Sequence, residues 1–156
     1  MREDEPLSSL LGSRTVATAE SCTGGLLAQA LVALPGSGDW YRGGIVTYQR
    51  DVKIELLGVT LGPVVSERAA TEMASGAAAL FRSDVAVSIT GAAGPEPHDG
   101  ARPGTVIVAT LVDGTIAARE YRFEGTPERV CMQARDAALE DLCRALARGD
   151  VPSRAG

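Results

Sequence analysis

Ser21 and Lys53 are the two residues of this chain whose types could together carry out covalent chemistry. A serine hydroxyl is a weak nucleophile until a base takes its proton. Lysine serves as that base once burial or a positive dipole lowers its pKa. Lys53 is the sole Lys among 15 Lys and Arg residues. Arg cannot be deprotonated in a protein and Lys can, so a chain that keeps one Lys among so many Arg singles out a proton acceptor. Lys53 also falls in the first turn of an expected helix, where a cation does not favour the helix dipole. The competing reading is a solvated surface lysine. The sole histidine, His98, stands in a Pro-rich loop and reads as an exposed side chain rather than the centre of a Ser-His-Asp triad.

The elements around Ser21 are those that expose a nucleophile. A β-branched run, Thr15-Val16-Ala17-Thr18, predicts a strand over about 14–19, and apolar periodicity predicts a helix over about 24–34. Between them lies Glu20-Ser21-Cys22-Thr23-Gly24-Gly25, a polar turn opening onto a helix N-terminus. Free N–H groups and the positive dipole end there suit an anion or a developing oxyanion. Capping of the helix by Ser21 or Thr23 is the alternative. A second glycine turn, Thr90-Gly91-Ala92-Ala93-Gly94-Pro95, follows the alternating strand Asp84–Thr90, so both turns could share one sheet edge and form a cleft. Neither turn ends in the Gly-Lys-Ser/Thr of a nucleotide triphosphatase loop.

The remaining chain supplies a scaffold. One turn of helix at Leu7, Leu10 and Leu11 stops at Gly12, and Pro35 to Asp39 is a turn-rich break before a strand over Trp40–Tyr48. The helix over about 50–57 places Val52, Leu56 and Val59 near one face and stops at Gly58. Ser66 caps an Ala-rich helix over 69–81 whose small side chains imply close packing. Residues 106–112 are apolar on both faces and read as an interior strand; Asp113-Gly114 turns it into a return strand over about 115–123. Thr126-Pro127-Glu128 opens a last helix with a core stripe of Val130, Ala134, Ala137, Ala138, Leu142 and Ala145. The expected class is α/β, a single layered domain with a mixed β-sheet flanked by helices. Its expected parts are an N-terminal segment over 1–12, the domain over 13–148 and a flexible tail over 149–156.

Composition narrows the functions. A net charge of −5 gives no long-range attraction to a phosphate backbone, and 4% aromatic residues leave little for stacking on bases. Nucleic acid is therefore disfavoured as a partner, and a small anionic ligand held by local dipoles is retained. No apolar run is long enough to span a bilayer. Cys22, Cys131 and Cys143 do not make a disulfide framework: the last two fall on one helix, about 18 Å apart at about 1.5 Å per residue. The expected compartment is the cytoplasm. One His and three scattered Cys lack zinc-ligand spacing, so neither a metal nor a cofactor is expected.

With these pieces in place the chain closely resembles the CinA C-terminal-domain family. The resemblance rests on Ala19-Glu20-Ser21-Cys22-Thr23-Gly24-Gly25, on Gly44-Ile45-Val46-Thr47-Tyr48 with Lys53, and on Leu56-Leu57-Gly58-Val59. It continues through Val65-Ser66-Glu67, Met73 to Ala77, Thr90 to Pro95 and Pro103-Gly104-Thr105-Val106, and the chain looks like the stand-alone form. The resemblance implies an amidohydrolase that converts nicotinamide mononucleotide to nicotinic acid mononucleotide and ammonia. It implies Ser21 as nucleophile, Lys53 as its base, and Tyr48 and Thr90 orienting the lysine or ligand. Glu20, Thr23, Gly24, Gly25, Gly91 and Gly94 fall at its substrate-binding turns. The chain departs from the family pattern at Arg50, where relatives carry Asn, in the loop Glu96-Pro97-His98-Asp99-Gly100, and after the last strand. There Gly125-Thr126-Pro127 and Val130-Cys131 replace segments that each carry an arginine. Arg50 and Arg129 are the cations left to clamp a phosphate or carboxylate. Two other functions stay open: a binding or regulatory protein that keeps the cleft, and a Ser–Lys amidase for another amide. The Ala- and Gly-rich helix 69–81 also offers a close-packing face for a homo-oligomer.

Overall fold

The computed structural model describes residues 5–149; the remainder of the acidic start and the tail beyond Gly149 lie outside them. The chain runs α1 (Leu7–Leu11), β1 (Val16–Glu20), α2 (Leu26–Val32), α3 (Ser37–Trp40), β2 (Tyr41–Val46), α4 (Arg50–Leu57), α5 (Glu67–Phe81), β3 (Val85–Gly91), β4 (Thr105–Val112), β5 (Thr115–Arg122) and α6 (Pro127–Gly149). One five-stranded sheet has the order β2-β1-β3-β4-β5. Its first three strands are parallel, and β3-β4-β5 are antiparallel, so the sheet is mixed as expected. The chain leaves β1 for β2 on one side and later returns to place β3 on the other. The β1/β3 boundary is thus a switch point, where the loops after two adjacent parallel strands splay apart and leave a crevice. Glu20 pairs with Ile89 across that boundary, which brings both glycine turns out side by side.

Strand alternation decides which residues face which layer. Val16, Val85, Val87, Ile89, Val106 and Val108 pack with Leu7, Leu27, Leu31, Val130, Leu142 and Leu146 of α1, α2 and α6. Ala17, Ala19, Ala86, Ile107 and Ala109 pack with Leu57, Ala69, Ala70, Met73 and Ala77 of α4 and α5. Each fully buried leucine is worth about 1.5–3 kcal/mol over an exposed one, so the two helical layers hold the sheet. Ala69, Ala70, Ala74 and Ala77 of α5 are spent on this sheet packing, whereas Ser75, Ala79 and Leu80 of the same helix stay exposed.

Local signals mostly hold. Ser66 Oγ accepts from the Ala69 N–H at 3.1 Å, and Gly58 ends α4 in the left-handed region. Asp113 and Gly114, with φ of 48° and 85°, make the hairpin between β4 and β5. Two expectations are corrected. Trp40 closes the short helix α3 instead of opening a strand, because its ring is buried against the first core layer. In α4 the buried face is Lys53 and Leu57, and Leu56 is exposed. The apolar pattern Val52-Leu56 misled because a lysine occupies a core-facing position.

Candidate active site

Three strand ends are tied together before any side chain reaches out. The Ser21 N–H donates to the Ile89 carbonyl at 3.0 Å, and the Thr47 N–H donates to the Glu20 carbonyl at 2.9 Å. These bonds fix the ends of β1, β2 and β3 relative to one another. From α4, the aliphatic stem of Lys53 runs inward and leaves the residue 1% exposed. Its Nζ lies 2.9 Å from Ser21 Oγ, 2.6 Å from the Thr47 carbonyl oxygen and 2.8 Å from the Tyr48 carbonyl oxygen.

That set of partners has a chemical consequence. A neutral amine has two N–H bonds and one lone pair. The two carbonyls take the two N–H bonds, and the lone pair then faces the Ser21 hydroxyl. Burial lowers the Lys53 pKa from 10.5 to about 8, opposed by the Asp99 carboxylate and aided by the Arg50 guanidinium. At pH 7 about a tenth of the amine is therefore unprotonated, against less than a thousandth for an ordinary lysine. The solvated-surface reading of Lys53 does not survive its burial.

Glu20 changes the expected character of the turn. Its carboxylate is 1% exposed and accepts from Thr23 Oγ1 at 2.6 Å, Gly25 N at 3.2 Å, Leu27 N at 2.9 Å and Ala28 N at 3.0 Å. The start of α2 is not left open to a substrate anion: the protein's own carboxylate fills it and accepts from the Gly25, Leu27 and Ala28 N–H groups. Glu20 and Thr23 thus build the turn that carries Ser21. Gly24 and Gly25 have φ of 59° and 112°, and a Cβ at either would meet nothing within 4 Å, so backbone conformation is what calls for glycine there. Among the described residues, no carbonyl or side-chain oxygen accepts from the backbone N–H groups of Cys22 and Thr23, which flank Ser21 on its C-terminal side.

Above Ser21 lies a cavity of about 250 Å³. Tyr48, Gly91, Ala92, Gly94, Glu96 and His98 are among its walls. Tyr48 is 71% exposed, and it positions Lys53 through its carbonyl rather than its phenol. Thr90 is buried and donates its hydroxyl to the Val64 carbonyl at 2.7 Å, so it braces the loop before α5 and makes no hydrogen bond to Lys53. Asp99 joins that same loop: its carboxylate accepts from the Val64 N–H at 3.1 Å and pairs with the Arg50 guanidinium. These partners hold the Asp99 carboxyl below its ordinary value. Arg50 is therefore committed to pinning the 95–104 loop over α4. Arg129 lies exposed at the start of α6, folded over Gly125, and is not among the cavity walls. Sequence reading missed Glu96 and Cys22 as wall residues and gave His98 no part in the site, although it lines the rim while remaining exposed. A larger recess of about 510 Å³, between the β4–β5 hairpin and the end of α6, holds no nucleophile–base pair.

The CinA C-terminal domain model matches residues 7–146. The chain belongs to the CinA C-terminal domain family. A CinA-like protein of Mycolicibacterium gilvum is 42% identical over 153 residues, covering 94% of this chain and 36% of that protein. One from Chlorobium limicola is 43% identical over 140 residues, with 83% of this chain and 33% of that protein covered. The chain thus spans about a third of the length of these curated relatives. Among solved structures, a CinA superfamily protein of Enterobacter cloacae superposes with a TM-score of 0.86 at 35% identity, covering 90% of this chain and 88% of that one. A CinA superfamily protein of Klebsiella pneumoniae gives 0.86 at 36% identity, covering 91% and 92%. In this CinA domain no helix among the described residues is long and apolar enough to cross a membrane. No group of three or more His, Cys, Asp or Glu gathers among them as metal ligands.

Proposed function

We propose that this CinA domain is an amidohydrolase in which Ser21 attacks an amide carbonyl and Lys53 moves the protons. The observation that carries this is the 2.9 Å contact between Lys53 Nζ and Ser21 Oγ inside a buried, carbonyl-braced pocket. Attack forms the Ser21 Oγ–carbon bond, and the hydroxyl proton passes to the Lys53 lone pair. The carbonyl oxygen becomes an oxyanion beside the unpaired N–H groups of Cys22 and Thr23. Collapse breaks the carbon–nitrogen bond, and the Lys53 ammonium protonates the leaving amine to ammonia. Water then hydrolyses the acyl-serine with Lys53 again as base. The family resemblance points to nicotinamide mononucleotide as the amide, in a cytoplasmic setting and with no cofactor.

The test is ammonia release from nicotinamide mononucleotide, with nicotinamide and its riboside alongside. Ser21→Ala and Lys53→Ala should each lower kcat/KM by about a thousandfold or more with the fold intact. Full activity in both variants rejects the dyad.

A second reading is a Ser–Lys amidase for an amide without a phosphate. One observation favours it: the cavity walls include Glu96 and His98 but no Arg or Lys, and a wall carboxylate repels a phosphate. The cavity also falls below the roughly 300–1,000 Å³ of drug-sized ligand sites, so a mononucleotide would extend outside it. Faster ammonia release from the riboside or another neutral amide than from the mononucleotide would select this reading.

A further inference from the structure

Beside the nucleophile sits a pair of thiols that the amidase chemistry does not use. Cys22 follows Ser21 directly and lines the same cavity. Cys131, on the second turn of α6, lies 109 residues away in sequence, yet its thiol donates to the Cys22 carbonyl oxygen at 3.2 Å. Neither is fully buried and neither is bonded to another sulfur. The pair is also asymmetric. The neighbouring Cys22 side chain draws the Cys131 pKa from 9.0 down to about 7. The Cys131 side chain, together with burial, drives Cys22 upward. Cys131 is thus the thiol that ionises first and Cys22 the one that keeps its proton, the division of labour that thiol oxidation and exchange require.

We propose that Cys22 and Cys131 form a redox pair that a hydroperoxide closes into an intramolecular disulfide, clamping α6 to the Ser21 turn. The Cys131 thiolate attacks one peroxide oxygen, the O–O bond breaks, and Cys131 becomes a sulfenic acid while hydroxide (or alkoxide, from an organic peroxide) departs. Cys22 sulfur then attacks the Cys131 sulfur, the S–O bond breaks, and the Cys22 proton leaves with the hydroxide as water. Two thiols lose two electrons in all, and hydrogen peroxide is reduced to two waters. Cys143 takes no part, because twelve residues of α6 separate it from Cys131 by about 18 Å. The crosslink replaces the free Cys22 side chain on the cavity wall and ties down the backbone that carries the Cys22 and Thr23 N–H groups. A shift of about 1 Å in such a turn costs about a hundredfold in rate. That effect on turnover rests on the amidase reading; formation of the disulfide does not.

The experiment is intact mass and non-reducing peptide mapping of the full chain before and after stoichiometric hydrogen peroxide, with ammonia release measured in parallel. The expected result is a loss of two hydrogen masses, a linked peptide joining Cys22 to Cys131, and reversal by dithiothreitol. Cys143→Ser should behave like the wild type, and Cys131→Ser should lose the crosslink. A gain of oxygen mass without a crosslink, a link through Cys143, or a disulfide between two chains overturns the proposal. A disulfide without any ammonia release from the reduced protein retains the redox pair and rejects the amidase reading. A disulfide that leaves measurable turnover unchanged overturns the effect assigned to it.

Discussion

Lys53 Nζ donates to the backbone carbonyl of Tyr48 at 2.8 Å, while Tyr48, itself largely exposed, borders the cavity. The two halves of this residue therefore do separate jobs, and a side-chain substitution leaves the lysine's carbonyl brace in place. Tyr48→Phe and Tyr48→Ala should keep kcat within about threefold. Any loss should fall on KM, because a wall contact removed equally from ground and transition states lowers binding alone. Steady-state kinetics on both variants tests this. A kcat loss as large as that of Lys53→Ala would place the phenol in the proton path.

The base must be the free amine, which fixes the sign of the pH dependence. Burial holds the Lys53 pKa at about 8, below its ordinary 10.5. Below that value the ammonium has no lone pair and cannot accept the Ser21 proton. The rate kcat/KM should rise about tenfold per pH unit up to roughly pH 7 and level off above about 8. A profile flat from pH 6 to 9 would exclude Lys53 as the titrating base.

Glu20 completes the turn beneath the nucleophile, so its loss should register first in stability. Glu20→Gln removes a negative charge from the start of α2 and leaves an amide N–H₂ facing a backbone donor that now has Oε2 as acceptor, the Ala28 N–H at 3.0 Å. An unsatisfied buried donor costs about 1–3 kcal/mol. Chemical denaturation should show a loss of that size, with activity reduced because the Ser21 turn loosens. Unchanged stability with a raised KM alone would mean that Glu20 contacts substrate.

How much of this was legible in the sequence follows the range of the interactions. Strands, caps and the Asp113-Gly114 hairpin are set by neighbouring residues, and the structure reproduces them. Lys53 stood out as the sole Lys and in a poor helix position, and the structure buries it beside Ser21. What composition and spacing could not reveal is where a side chain spends its hydrogen bonds. Glu20 reads as a binding carboxylate until four donors are seen to converge on it. Thr90 sits at the mouth of the cleft in sequence order, yet its hydroxyl turns to Val64. Cys131 meets Cys22 only because α6 packs back along the sheet, a contact across 109 residues that carries no local signal.

Gly76 provides a last check on how the base is held. It lies in the middle of α5, where glycine costs about 1 kcal/mol relative to alanine in helix propensity alone. An added Cβ would run into the backbone carbonyl of Leu57, one helical turn after Lys53 on α4. Gly76 therefore sets how closely α4 approaches α5, and through α4 the depth at which Lys53 enters the pocket. A backbone carbonyl cannot rotate away as a flexible side chain can, so α4 itself must shift. Gly76→Ala should destabilise the fold by about 1–3 kcal/mol despite the better helix former. It should also lower kcat by about tenfold or more without a comparable change in KM, since the Nζ–Oγ contact lengthens while the cavity wall is untouched. Thermal melts and steady-state kinetics on the one variant measure both. A more stable protein with wild-type kcat would show that the α4–α5 spacing does not position the lysine.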